Sequence, residues 1–148
     1  MNSPKLTLKE ITSKNWRDIV KLSVTEKQKK FVAPNVYSIV EAHYSDHAWF
    51  RAIYADDTPV GFIMVSIDKE KSEYFLWRLM VDADHQRKGY ARQAVLQLIE
   101  HIKQIPNAEE LVVSYVPGEG SPQPFYIKLG FEETGELEGN EKIMNIKL

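Results

Sequence analysis

Cysteine is absent from the 148 residues, which removes disulfides, thiolate metal sites and any cysteine nucleophile. The absence fits a reducing compartment, and cytoplasm is the expected location. An excess of one charge is lacking too. Nineteen Lys and Arg stand against 21 Asp and Glu, and the net charge of −2 supplies no global field to draw in nucleic acid or an anionic membrane. No apolar run approaches the roughly 20 residues of a membrane span. Lys5, Lys9, Glu10, Lys14, Arg17 and Asp18 leave no apolar core for a signal peptide in residues 1–20. Internal repeats and Gly/Ser- or Pro-rich linkers are also missing, so nothing marks a domain boundary.

What is present has the balance of a soluble globular protein, 43% hydrophobic and 27% charged. The length predicts one domain spanning 1–148. Short strands alternate with helices. Leu6 to Ile11 reads as a strand, and Thr12-Ser13 can cap a helix carrying Trp16, Ile19, Val20 and Leu22. Asn35 can cap a second helix, from Val36 to about Tyr44, with Val36, Ile39 and Val40 as its packing face. Trp49–Tyr54 and Pro59–Ile67 predict a hairpin through Ala55-Asp56-Asp57-Thr58. Tyr74–Val81 is a near-continuous apolar run, the mark of a central strand buried on both faces, in which Arg78 needs a partner.

Ala91, Ala94, Val95, Leu98, Ile99 and Ile102 recur at i, i+3, i+4, i+7, i+8, i+11, which predicts an amphipathic helix. Leu111–Val116 reads as a further strand, followed by a Pro-Gly loop. Pro122 or Pro124 can open a short helix containing Phe125, Tyr126 and Leu129, with Gly130 as its left-handed cap. Glu132–Leu137 and Glu141–Ile146 flank a Gly139-Asn140 turn. The expected fold is α/β, a mixed and largely antiparallel central sheet flanked by helices.

Between the central strand and the long helix lies Gln86-Arg87-Lys88-Gly89-Tyr90-Ala91. The first turn of a helix leaves N–H groups unpaired at its positive end, and small residues let a pyrophosphate approach them. Arg87, Lys88 and Arg92 add cations. The same pattern also describes a plain helix start. It lacks the three small residues of G-x-G-x-x-G and the Lys-Ser/Thr of a nucleotide-triphosphate loop.

Gln86 to Ala91 resembles the Q/R-x-x-G-x-G/A signature of the GNAT superfamily of N-acetyltransferases, and Pro124 to Phe131 is similar to that family's F-Y-x-K-x-G-F segment. The resemblance implies a GNAT-like fold and acetyl-CoA as co-substrate; from the residues themselves no metal is expected. It implies cofactor contacts from Leu79, Met80 and Val81 through their backbone, from residues 86–92 (Gln86, Arg87, Lys88, Gly89, Tyr90, Ala91 and Arg92), and from Phe125 and Lys128. Tyr126 would protonate the departing thiolate, a role suited to a phenol of pKa about 10. Otherwise Tyr126 is a core aromatic. With no cysteine, the implied chemistry is direct attack in a ternary complex. Glu73, on the same strand face as Phe75, is a candidate base; the alternatives are a solvated strand-end charge and a water-mediated route.

Gln28 to Asn35, Ser38, Glu41-Ala42 and Trp77 to Asp82 resemble the corresponding parts of bacterial spermine/spermidine N-acetyltransferases. That implies a polyamine acceptor, with a protein N-terminus, another small amine or an antibiotic as alternatives, and a non-catalytic acyl-CoA sensor as the alternative outside catalysis. Tyr37, Glu41 and Asp46 are the candidate acceptor contacts, because a polycation needs carboxylates and aromatic surfaces. A solvated helix face is their bland reading. His43 and His47 have the i, i+4 spacing of a metal pair without an evident third ligand. Lys27, Lys29 and Lys30 read as a solvated face, and Trp16, Trp49 and Trp77 as core. Members of this superfamily often dimerise, so a homodimer is an expected partner state; nucleic acid and membrane are not expected partners.

Overall fold

The computed structural model describes residues 3–148, so the first two positions of the 1–148 span lie outside the described residues. Its frame is one seven-stranded sheet in the order β1-β2-β3-β4-β5-β7-β6. The strands are β1 (Leu6–Lys9), β2 (Ala48–Ala55), β3 (Thr58–Asp68), β4 (Glu73–Val81), β5 (Glu110–Tyr115), β6 (Glu132–Glu138) and β7 (Glu141–Lys147). The helices are α1 (Trp16–Lys21), α2 (Asn35–His43), α3 (Tyr90–Lys103) and α4 (Gln123–Leu129). All neighbours are antiparallel except β4 and β5. A parallel pair needs a crossover, and α3 supplies it.

The expected α/β architecture and element order are therefore present. The α3 periodicity translates directly into burial, since Ala94, Val95, Leu98, Ile99 and Ile102 all enter the larger core between α3 and the sheet. Burying such aliphatic side chains contributes about 1.5–3 kcal/mol each for the larger ones. The smaller core, with Ile19, Ala42, Ala52, Phe62, Met64 and Met80, lies on the other face beneath α1 and α2.

The N-terminal helices depart from expectation. Thr12 and Ser13 do not cap α1. Its N-cap is Asn15, and the Thr12 carbonyl instead accepts the Trp16 N–H at 3.1 Å. Trp16 is 40% exposed rather than core. In α2 the supposed packing residues Val36 and Val40 are each 52% exposed, and Asn35, Ser38 and Ala42 face inward. Pro34, not Asn35, occupies the N-cap. Buried Asn35 donates to the Ile19 carbonyl at 2.9 Å, which also accepts the Leu22 N–H at 3.2 Å, and so ties α2 to the end of α1. Small and polar residues let α2 sit close, which overrides its apolar stripe.

Two features of the sheet shape the site. Gly61 in β3 faces Met80 so closely that a Cβ would collide with the Met80 carbonyl oxygen. Further along, Met64 pairs with Arg78 and Val65 with Leu76, leaving Trp77 as an extra residue in β4. This bulge bends the strand and carries both Trp77 and Arg78 toward α2.

Candidate active site

β4 and β5 pair only at Phe75–Val112 and Leu76–Val113. Beyond the Trp77 bulge they splay, and among the described residues no strand covers the β5-facing edge of Trp77 to Val81. Such an edge presents N–H and C=O groups to whatever lies beside it, with the Trp77 and Val81 carbonyls already accepting from the Arg78 and Gln86 side chains. The gap opens into a cleft of about 1460 Å³ that reaches both faces of the sheet.

One half of the cleft is built by the start of α3. Arg87 and Gly89 both have left-handed backbones, with φ of 65° and 80°. In the resulting turn the N–H groups of Gln86 to Arg92 find no backbone acceptor among the described residues, and all of these residues except Lys88 line the cleft. A concave run of N–H groups at a helix start suits an anion. A Cβ at Gly89 would meet nothing within 4 Å, so the space in front of it is open. Arg87, Arg92 and Lys128 line this half together with Leu79, Met80 and Val81. The side chains of Met80 and Tyr90 belong to the core, so these residues face the cleft through their backbones.

Lys88 is the one predicted cofactor residue placed elsewhere. It borders a separate small depression with Asp56 and Thr58, because the two left-handed residues on either side rotate it out of the cleft. The Gln86 side chain is also engaged, donating at 2.8 Å to both the Val81 carbonyl and Gln28 Oε1.

Tyr126 occupies the second turn of α4, whose helix ends as expected at left-handed Gly130 with Phe131 buried behind it. The Phe131 N–H bonds to the Tyr126 carbonyl at 3.0 Å, closing the cap. Tyr126 lines the cleft while only 6% exposed, and its hydroxyl has no hydrogen-bond partner among the described residues. Burial pushes its pKa well above the ordinary tyrosine value, so the proton stays on oxygen. A second phenol, Tyr115, also lines the cleft and escaped the sequence reading, although the alternation Leu111, Val113, Tyr115 aims it at the same face. Its hydroxyl donates to Glu133, and burial followed by that carboxylate raises its pKa. Tyr115 is engaged where Tyr126 is not.

The other half of the cleft lies on the sheet face away from α3. Ser66, Phe75, Trp77, Arg78 and Ser114 form its floor, and Glu73, Glu138 and Glu141 line it. Ser114 Oγ lies 3.4 Å from Glu141 Oε1. Residues 28–34 form a wall over this region, with Phe31 above Gly120 of the β5–α4 loop. Glu73 stands exposed at the start of β4, at the cleft margin.

None of Tyr37, Glu41 and Asp46 lines the cleft. Tyr37 and Asp46 are exposed outside it, and Glu41 is committed to Arg78 at 2.7 Å. The helical spacing grouped Tyr37 and Glu41 correctly on α2, while Asp46 lies beyond its end; Tyr37 faces outward, and the Glu41 carboxylate is spent on the Arg78 pair. His47 lies 3.6 Å from Asp68, not in a pair with His43.

Residues 11–131 match the family described as the acetyltransferase (GNAT) family. The spermine/spermidine N(1)-acetyltransferase of Bacillus subtilis (strain 168) is 23% identical over 146 residues, covering 94% of this chain and 96% of that protein. Among solved structures, an acetyltransferase from Thermus thermophilus superposes with a TM-score of 0.79 at 16% identity, covering 100% of both chains. The PaiA N-acetyltransferase from Thermoplasma acidophilum, solved in complex with coenzyme A, superposes with a TM-score of 0.71 at 18% identity, covering 97% of this chain and 99% of that one.

Proposed function

Because the chain belongs to the acetyltransferase (GNAT) family and is an acetyl-CoA-dependent N-acetyltransferase, we propose that residues 1–148 act as a single domain that acetylates a primary amine of a polyamine of the spermine/spermidine type. The observation that carries this reading is the division of charge along the cleft. Arg87, Arg92 and Lys128 with the N–H groups of residues 86–92 stand at one end, and Glu73, Glu138 and Glu141 with Phe75 and Trp77 at the other. The first set suits the phosphates of acetyl-CoA. The second suits an acceptor that carries ammonium groups on an aliphatic stem, since carboxylates pair with the charges and aromatic faces attract both. The distant Bacillus relative's name agrees with that acceptor.

In the reaction we propose, the exposed edge of Leu79 to Val81 holds the pantetheine arm and directs the thioester toward the Trp77 bulge. The amine nitrogen, once deprotonated, attacks the thioester carbonyl; as the C–S bond breaks the departing thiolate takes the proton of Tyr126, and the second proton shed by the acylated nitrogen returns through water to the Tyr126 oxygen. Burial keeps that proton in place through neutral pH, and a phenol without another partner can give its whole hydrogen bond to the developing negative charge. The amine's own proton leaves through Glu73 or through water at the open margin. Arg78 does not oppose a cationic acceptor, because Glu41 neutralises it.

The test is to incubate the purified protein with acetyl-CoA and measure release of free coenzyme A with spermine, spermidine and a matched panel of other amines, confirming products by mass. Polyamine-dependent release is expected. Turnover confined to other amines would overturn the acceptor assignment and leave the transferase standing. Coenzyme A binding with no turnover of any amine would favour an acyl-CoA sensor.

A further inference from the structure

Residues 23–34 leave α1 and cross the mouth of the cleft before entering α2. Their first attachment is a pair of bonds to the turn after β4, from the Ser23 N–H to Asp82 Oδ1 and from the Ala83 N–H to the Ser23 carbonyl, each 2.8 Å. The segment then makes a 3-10 turn over Glu26–Gln28, closed by a capping box between Thr25 and Gln28. Gln28 Oε1 accepts from the Thr25 N–H at 3.3 Å and from Gln86 Nε2 at 2.8 Å. The same Gln86 nitrogen holds the Val81 carbonyl at 2.8 Å. At its far side the segment reaches the β5–α4 loop, where a Cβ on Gly120 would lie 3.7 Å from the Phe31 ring.

One amide oxygen therefore joins two walls that approach the cleft from different parts of the chain. The segment's own turn depends on Gln28 Oε1, and that oxygen is shared with the loop that lines the cleft. The Phe31 N–H bonds to the Gln28 carbonyl at 2.9 Å, which continues this chain of contacts to the ring beside Gly120.

We propose that the Gln28–Gln86 contact is a latch by which occupancy of the 86–92 loop orders residues 25–34, and that Gln28 is a positioning residue for the acceptor wall. The inference rests on the assignment of that loop to coenzyme A. Because only the Gln28 oxygen is used, and as an acceptor, Gln28→Glu keeps the latch and Gln28→Leu breaks it. Gln86 retains the Val81 carbonyl in both variants, so the loop itself keeps its support.

Hydrogen exchange by mass spectrometry, with and without saturating coenzyme A and with no amine present, tests this. In the wild type, coenzyme A is expected to slow exchange across residues 25–34 by about five- to tenfold. In Gln28→Leu it should still bind, and slow residues 86–95 as before, but leave residues 25–34 unchanged. Gln28→Glu should restore the coupling, which a merely structural defect would not do. Equal slowing of residues 25–34 in Gln28→Leu, or no slowing in a wild type that binds coenzyme A, overturns the latch alone. A wild type that fails to bind coenzyme A by calorimetry overturns the loop assignment and the latch together.

Discussion

Arg78 Nη2 sits 2.7 Å from Glu41 Oε1, joining β4 to α2 at the edge of the acceptor half of the cleft. Both side chains are more than two-thirds buried, and the guanidinium also donates to the Trp77 carbonyl at 3.1 Å. The Trp77 bulge makes the contact possible by turning Arg78 toward α2. A partly buried guanidinium without its carboxylate would place a fixed positive charge beside the site of a cationic acceptor.

Glu41→Gln is therefore expected to raise KM for a polyamine about five- to tenfold while leaving the coenzyme A affinity unchanged. Stability should fall by about 1–3 kcal/mol, between the values for exposed and buried pairs. Initial-rate kinetics with calorimetry on the same variant check both. An unchanged polyamine KM would remove Arg78 from the acceptor surface.

Gly61→Ala should lower the melting temperature and the cofactor affinity together. The new methyl would strike the Met80 carbonyl and lie 3.3 Å from Val81 Cα, both backbone atoms that cannot rotate away. Forced separation of β3 and β4 costs about 1–3 kcal/mol and shifts the edge of Leu79 to Val81. Thermal unfolding and coenzyme A titration read the two effects, and loss of stability without loss of affinity would detach that edge from the cofactor.

The residues that specify these contacts were unequally legible in the sequence. The α3 stripe was readable because six apolar positions at helical spacing face one broad sheet, so local pattern and tertiary packing agree. Gly130 and Phe131 were readable because a helix cap is local chemistry. In α2 the same logic failed, since Asn35 is drawn inward by the Ile19 carbonyl and takes Ser38 and Ala42 with it. Arg78 announced a need for a partner and Glu41 was singled out as an acid, yet their pairing depends on a bulge that only the register against β3 creates. Gly61 carried no local signal at all, and Glu138 and Glu141 reach the cleft only through the pairing of β7 beside β5.

Gly89→Ala and Gly135→Ala form a matched pair. Both glycines have left-handed φ, 80° and 84°, and at both a Cβ would meet nothing within 4 Å. Each substitution should cost about 1 kcal/mol of backbone strain. Only Gly89 faces the cleft, so only Gly89→Ala is expected to weaken coenzyme A binding, by about tenfold or more, as judged by calorimetry. Equal affinities in the two variants would remove the 86–92 turn from the cofactor site.

Tyr126→Phe should reduce kcat by about 10² or more, the scale of a lost general acid, and change coenzyme A affinity less than about twofold because the ring remains. The pH dependence sharpens the test. Burial favours the neutral phenol, so the folded pKa lies above the unfolded value of about 10. Tyr126 therefore contributes stability that is fully present below pH 10 and is lost as pH rises toward its folded pKa, where the unfolded chain alone releases the proton. The wild type should accordingly lose stability above pH 10 more steeply than Tyr126→Phe. Its kcat should show no falling limb from this phenol below pH 10, while the rising limb follows deprotonation of the amine. A falling limb near neutral pH that disappears in the variant would mean that Tyr126 ionises in the working enzyme and acts as something other than the acid.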